Sequence, residues 1–245
     1  MARVQISPTV RPHHMPADTP FDEIITAIVD DDVEGLRSML AANRDVAARL
    51  ADRDQLLESR IFHWVYVGDT ALHVAAAGYR VHLVELLLVA GADPNAAANR
   101  RRSTPLHYAA DGFVTGSAWD PLNQVSTLQS LLAAGATLNA QDKNGATALH
   151  RATRTRCADA VQCLLGAGAD MTLRNDAGST PFHLAVQSTG RGGSGEQLAK
   201  DEQRRIIEAF LGYGASPELT DGKGRSVFQS APSEWIRALL RENAA

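Results

Sequence analysis

Cysteine is scarce: the 245 residues hold two, Cys157 and Cys163, and no C-x-x-C pair. Two isolated thiols cannot build a disulfide framework and suit a reducing compartment, so a cytoplasmic location is the expectation. Long apolar runs are missing too. Nothing approaches the ~18 residues that a membrane-spanning helix requires, and no membrane association is expected. A strong charge imbalance is also absent; a net charge of −4 lacks the basic excess that draws a chain to nucleic acid or to an anionic membrane. The motifs G-x-x-x-x-G-K-[ST], G-x-S-x-G and H-E-x-x-H do not occur, so no catalytic residue, metal ligand or cofactor is assigned. The glycines of Gly190-Arg191-Gly192-Gly193-Ser194-Gly195 follow no strand and precede no lysine, which makes them a linker rather than a phosphate cradle. Residues 1–18 carry Pro8, Pro12 and Pro16 but no apolar stretch. They read as a disordered arm, not a secretory signal, with His13 and His14 in a solvated tail.

What is present is a recurring tetrapeptide: Thr70-Ala71-Leu72-His73, Thr104-Pro105-Leu106-His107, Thr147-Ala148-Leu149-His150 and Thr180-Pro181-Phe182-His183. Successive threonines are 34, 43 and 33 residues apart. Each threonine can cap a helix by accepting from a first-turn N–H, and proline at the next position has its φ set for that turn. Small residues follow (Ala75-Ala76, Ala109-Ala110, Ala152), then larger apolar ones over Val81 to Leu88, Val125 to Leu132, Ala160 to Leu165 and Ile206 to Leu211. Gly91, Gly135, Gly168 and Gly214 close these second helices, where a residue at positive φ is wanted.

A period near 33 with T-P-L-H-x-A resembles the ankyrin repeat over nearly the whole chain. The resemblance implies an all-α solenoid with short β-hairpin fingers, in which helix pairs stack to bury one continuous core. It also accounts for the histidines. Placed one per repeat, they stand about 10 Å apart, the thickness of a helix layer. That is too far for one zinc with bonds of ~2 Å, and the resemblance implies instead that each imidazole bonds neighbouring backbone.

Residues 19–245 are expected to form one ankyrin-repeat domain. Its first repeat, 19–50, is degenerate. Thr19-Pro20-Phe21 opens a helix through about Val29, Asp31 and Asp32 cap a second, and Asn43 stands in the place of the closing glycine. An extended finger follows over 50–69, twenty positions where about five would suffice. Within it Arg60 to Val67 reads as a strand, with Phe62, Trp64 and Tyr66 on one face and Ile61, His63, Val65 and Val67 on the other. Insertions lie near 113–123, where Asp120-Pro121 starts a helix, and near 190–203. There Ser194 and Gln197 form a capping box, and Glu196/Lys200 and Asp201/Arg205 are paired along an exposed helix. A C-terminal cap over 221–242 replaces the motif's histidine by Gln229.

Three features stand out as partner-binding candidates. The aromatic finger Phe62, Trp64 and Tyr66 is either an interface or packing against its own repeat. Arg100, Arg101 and Arg102 occupy a finger where a glycine turn is usual in the family, and Arg154 and Arg156 end a first helix. In the register implied by the resemblance both regions edge the concave groove. Trp119 lies in the first insertion and either joins that surface or covers its own repeat. The expected function is a monomeric, non-catalytic scaffold that binds another protein, with the arginines favouring an acidic or phosphorylated surface. The alternative is a ligand-binding or enzyme-associated module whose cleft lies between the two insertions, lined by Phe113 and Trp119. Reductant and chelator should leave such a scaffold unmoved; a melting temperature that shifts by many degrees with DTT or EDTA would contradict it.

Overall fold

The computed structural model describes residues 20–58, 60–112, 114, 116, 119–188 and 197–242. The expected arm over 1–18, Thr19, Phe113, Ser194 and the glycine linker lie outside these residues. Apolar side chains recur at helical spacing throughout, and the chain answers with helix pairs laid side by side. They are α1 (Phe21–Val29) with α2 (Val33–Ala42), α3 (Ala71–Ala77) with α4 (Val81–Val89), and α5 (Pro105–Ala110) with α6 (Pro121–Ala133). Then come α7 (Ala148–Arg154) with α8 (Ala158–Gly166), α9 (Pro181–Ala185) with α10 (Gln197–Gly212), and α11 (Val227–Ser230) with α12 (Glu234–Glu242). First helices pack on first helices and second on second. One core therefore runs the length of the stack, through Ile28, Leu72, Leu87, Leu106, Leu128, Leu149, Leu164, Phe182, Phe210 and Leu240.

Each tetrapeptide does more than cap its own helix. The Thr70 backbone N–H donates to Nδ1 of His73 at 3.0 Å, while the hydroxyl of Thr70 accepts from the third residue of the helix. With Nδ1 an acceptor, the ring proton sits on Nε2. That N–H reaches the next finger, at Ser103 O, 2.9 Å away. His107, His150 and His183 repeat the gesture to the carbonyls of Ala146, Ser179 and Arg225 at 2.9, 3.1 and 3.0 Å. In the last repeat Ser226 and Gln229 form the same box with an amide in place of the ring.

The second-helix glycines Gly91, Gly135, Gly168 and Gly214 all take positive φ. Asn43 does not follow them. Its φ is −151°, because its side chain accepts from Asp45 N and starts a 3₁₀ turn over Arg44–Ala48 instead. Pro20 sits one place earlier than expected, immediately before the first helical residue, Phe21. Arg205 also departs from its expected partner. It leaves Asp201 and bridges Asp159 of α8 and Glu202, since Asp201 faces solvent and is held by Gln197.

The extended finger is a two-stranded antiparallel ribbon of β1 (Gln55–Leu57) and β2 (His63–Val65), in register Gln55 with Val65 and Leu57 with His63. The strand is shorter than the apolar run promised. The period-two division holds for Ile61 and Val65, which are buried, and for Phe62 and Trp64, which are 60% and 46% exposed. Tyr66 and Val67 exchange roles beyond the strand, because Tyr66 N turns in to bond Asp69 while Val67 faces out. Gly78 explains how the finger's root is seated. A Cβ there would lie 2.5 Å from Ile61 Cδ1, so only glycine lets Ile61 drop against the end of α3.

Arg102 takes a φ of 49° at the finger position where Gly145, Gly178 and Gly224 stand in later repeats. A side chain in the left-handed region costs roughly 1–2 kcal/mol. Arg102→Gly should therefore raise stability by about 1 kcal/mol, read as a higher denaturation midpoint.

Candidate partner-binding surface

The arginines and aromatics singled out in the sequence separate into three groups. Trp64, Tyr66, Arg100 and Arg101 form one patch. The Trp64 and Tyr66 rings stack with centroids 6.2 Å apart. Arg100 and Arg101 hold their guanidinium carbons 4.9 and 5.0 Å from the Tyr66 ring centre. Arg101 also donates to the Tyr66 hydroxyl at 2.9 Å, and Arg100 meets Asp54 of the finger at 2.7 Å. Lys143 and Asn144 of the following finger complete a hollow of about 390 Å³ around them. Asp54 offsets the charge of Arg100, while Arg101 is held over the aromatic face without being neutralised, and with Lys143 it leaves the patch net positive. Arg102 is exposed and lies outside the hollow's lining.

A second group surrounds a cavity of about 420 Å³. Phe62 and His63 come from the finger, Tyr79 from the end of α3, and Asp111, Trp119 and Arg154 from the next two repeats. Trp119 is half-buried and donates its indole N–H to Gln124 at 3.0 Å. Gln124 in turn donates to Ala109 O at 3.0 Å, closing the end of α5. The insertion near 113–123 thus faces the extended finger across this cavity, where the alternative reading set it against the second insertion.

Arg156 forms the third group alone, and the structure removes it from the surface. It is 8% exposed and donates to the carbonyls of Thr153, Leu184, Ala185 and Gln187. It ties the ends of α7 and α9 together, in the role that Gln203 shares by donating to Ala185 and Gln187. Burial pulls its guanidinium down to about 10, still charged at neutral pH. Tyr66, at 8% exposure, is likewise a platform under the arginines rather than an exposed anchor.

Beneath the cavity runs a charge network that motif reading passed over. Arg151 is buried and donates to Asp111 at 2.8 Å, to Asp142 at 2.6 Å and to the Ser103 hydroxyl. Burial would raise the Asp111 carboxyl, but Arg151, with His63 and Arg154 beside it, holds it well below the usual carboxylate range. The signal available in sequence was Arg151 at a position where the other three motifs have Val74, Tyr108 and Leu184, an apolar slot holding a charge. Among the described residues no three His, Cys, Asp or Glu side chains gather as a metal site, and no helix is long and apolar enough to cross a membrane.

The family model described as ankyrin repeats, in three copies, matches residues 32–116 and 118–221. The chain belongs to the ankyrin-repeat family. Ankyrin repeats generally serve as protein-interaction modules. One relative is ankyrin repeat and SOCS box protein 6 of Mus musculus, 41% identical over 80 residues, which are 33% of this chain and 17% of that protein. The chain therefore spans far less than two thirds of that relative. The crystal structure of an ankyrin repeat domain from Acinetobacter baumannii AYE superposes with a TM-score of 0.63 at 26% identity, covering 91% of this chain and 97% of that one.

The motif histidines give the stack a pH dependence. Burial pulls His107 down from its ordinary 6.5 to about 4, and it lowers His73, His150 and His183 in the same direction. The folded value lies below the unfolded one, so the stabilisation is complete above about pH 6.5 and is lost as pH falls toward 4. The denaturation midpoint should drop between pH 7 and 4.5. His107→Gln, which copies the natural Ser226–Gln229 box, should make that slope shallower.

Proposed function

We propose that this ankyrin-repeat chain is a monomeric, non-catalytic binding module that holds a partner protein along its finger and concave groove. The observation that carries the reading is the exposed Trp64, stacked on Tyr66 beside Arg100 and Arg101, with Lys143 on the same hollow. Interfaces concentrate their energy in aromatic and arginine anchors, and this patch offers both. The basic hollow favours an acidic or phosphorylated surface on the partner. We place the protein in a reducing cytoplasm, in keeping with two unpaired thiols, of which Cys157 is buried and pushed up to about 11.

Peptide-display selection on the purified protein supplies binders for a direct test. Trp64→Ala should weaken them by a factor on the order of ten or more. An Arg100/Arg101/Arg102→Ala triple should weaken them most at low salt, where exposed charges act furthest. Both variants should keep the helical circular dichroism of the parent. Binders indifferent to both changes would place the site elsewhere, and loss of helicity in Trp64→Ala would make the finger part of the core.

A further inference from the structure

The cavity between finger and insertion has walls that call for one kind of occupant. Its aromatic walls have already used their polar tips: the Tyr79 hydroxyl donates to Asp111 O and the Trp119 indole to Gln124. What these rings offer the cavity is apolar, and Ile61 and Phe62 continue that lining on the finger side. The charge on the floor is held from below: Asp111 pairs with Arg151 at 2.8 Å and lies 3.5 Å from Arg154, while its buried Oδ1 has no hydrogen-bond partner among the described residues.

The rim is different. Arg154 and Arg60 are each 63% exposed, and their carboxylate contacts are long, 3.5 Å to Asp111 and 3.6 Å to Asp30. One exposed acid, Glu58, also lines the rim. Each arginine therefore stands in solvent with a carboxylate held only at long range. A cationic visitor would meet Arg154 directly. An apolar one with carboxylates beside it would bury its ring and give both guanidinium groups closer partners than they now have. At about 420 Å³ the cavity falls within the size range of small-ligand sites, roughly 300–1,000 Å³, and has room for a single large side chain.

We infer that this pocket takes one aromatic side chain of the partner, presented by a segment with carboxylates on both flanks. The inference rests on the proposal that a protein partner lies along this groove, and it adds which residue of that partner is anchored and where.

The test uses the full chain and three blocked heptapeptides. One has phenylalanine between Glu-Asp and Asp-Glu, one has alanine in its place, and one has the acids replaced by lysine. Binding is followed by NMR at the Trp119 indole N–H. The acidic phenylalanine peptide should shift that resonance and bind at least tenfold more tightly than either counterpart. Ala77→Leu, which fills the pocket from the end of α3, should abolish the shift, and Arg154→Glu should erase the preference for acid over lysine. Should Ala77→Leu fail to fold by circular dichroism, Trp119→Ala replaces it, read as a tenfold loss of affinity by isothermal titration calorimetry. Equal binding of the phenylalanine and alanine peptides, or binding untouched by the pocket variants, overturns the inference. Display-selected binders that lose affinity with Trp64→Ala but not with Ala77→Leu would leave the groove proposal standing and remove only the pocket. Binders indifferent to both would remove the two together.

Discussion

Everything in this molecule depends on a neutral imidazole that bonds in two directions. Nδ1 accepts from the backbone at the head of its own helix, and Nε2 donates to a carbonyl of the next finger. Buried and uncharged, the rings of His73, His107 and His150 each satisfy two backbone groups that the stack would otherwise leave without partners. The same bond sets the spacing between repeats, since a finger must present its carbonyl where the ring ends. Insertions are tolerated because they enter elsewhere. The ten residues from Asp111 to Asp120 fall between the two helices of a repeat, and leave the threonine–histidine spacing unchanged.

Around this regular axis the groove side is assembled from exceptions. Gly78 admits Ile61 and seats the finger against α3. Arg151 replaces an apolar residue and gathers Asp111, Asp142 and Ser103 from three separate segments. Breaking such a buried pair leaves an uncompensated charge and typically costs several kcal/mol, so the floor beneath the groove is rigid. The cations above it are not. Arg60, Arg154 and Arg100 stand largely in solvent on long stems, where ion pairs are worth little until a partner excludes water. A fixed floor with adjustable charges at its rim is a division of labour suited to recognising a peptide or a protein surface.

Local chemistry was legible without coordinates. Thr-Pro-Leu-His states its own cap and its own first turn, and the closing glycines state a positive φ, because those constraints act within a few residues. The two faces of the strand could be read at Ile61, Phe62, Trp64 and Val65, where pleating governs. They failed at Tyr66, where the chain leaves the strand and turns to bond Asp69. Asn43 failed for a similar reason, since its side chain found a nearer backbone donor than the left-handed turn would have offered.

The sequence by itself determined the repeat, its period and its caps, since each follows from short-range geometry recurring four times, while the bridging of its histidines was implied by the family resemblance. Only the tertiary structure decided which arginines stay exposed. Arg154 and Arg156 are two residues apart on the chain, yet one rims the groove and the other is sealed beneath four carbonyls of neighbouring helix ends. Their fates differ because burial depends on what the next repeat brings alongside, and that is settled by stacking rather than by any neighbour in sequence. The pocket has the same origin: its walls come from residues near 60, 79, 119 and 154, and no spacing rule connects them until the repeats close side by side.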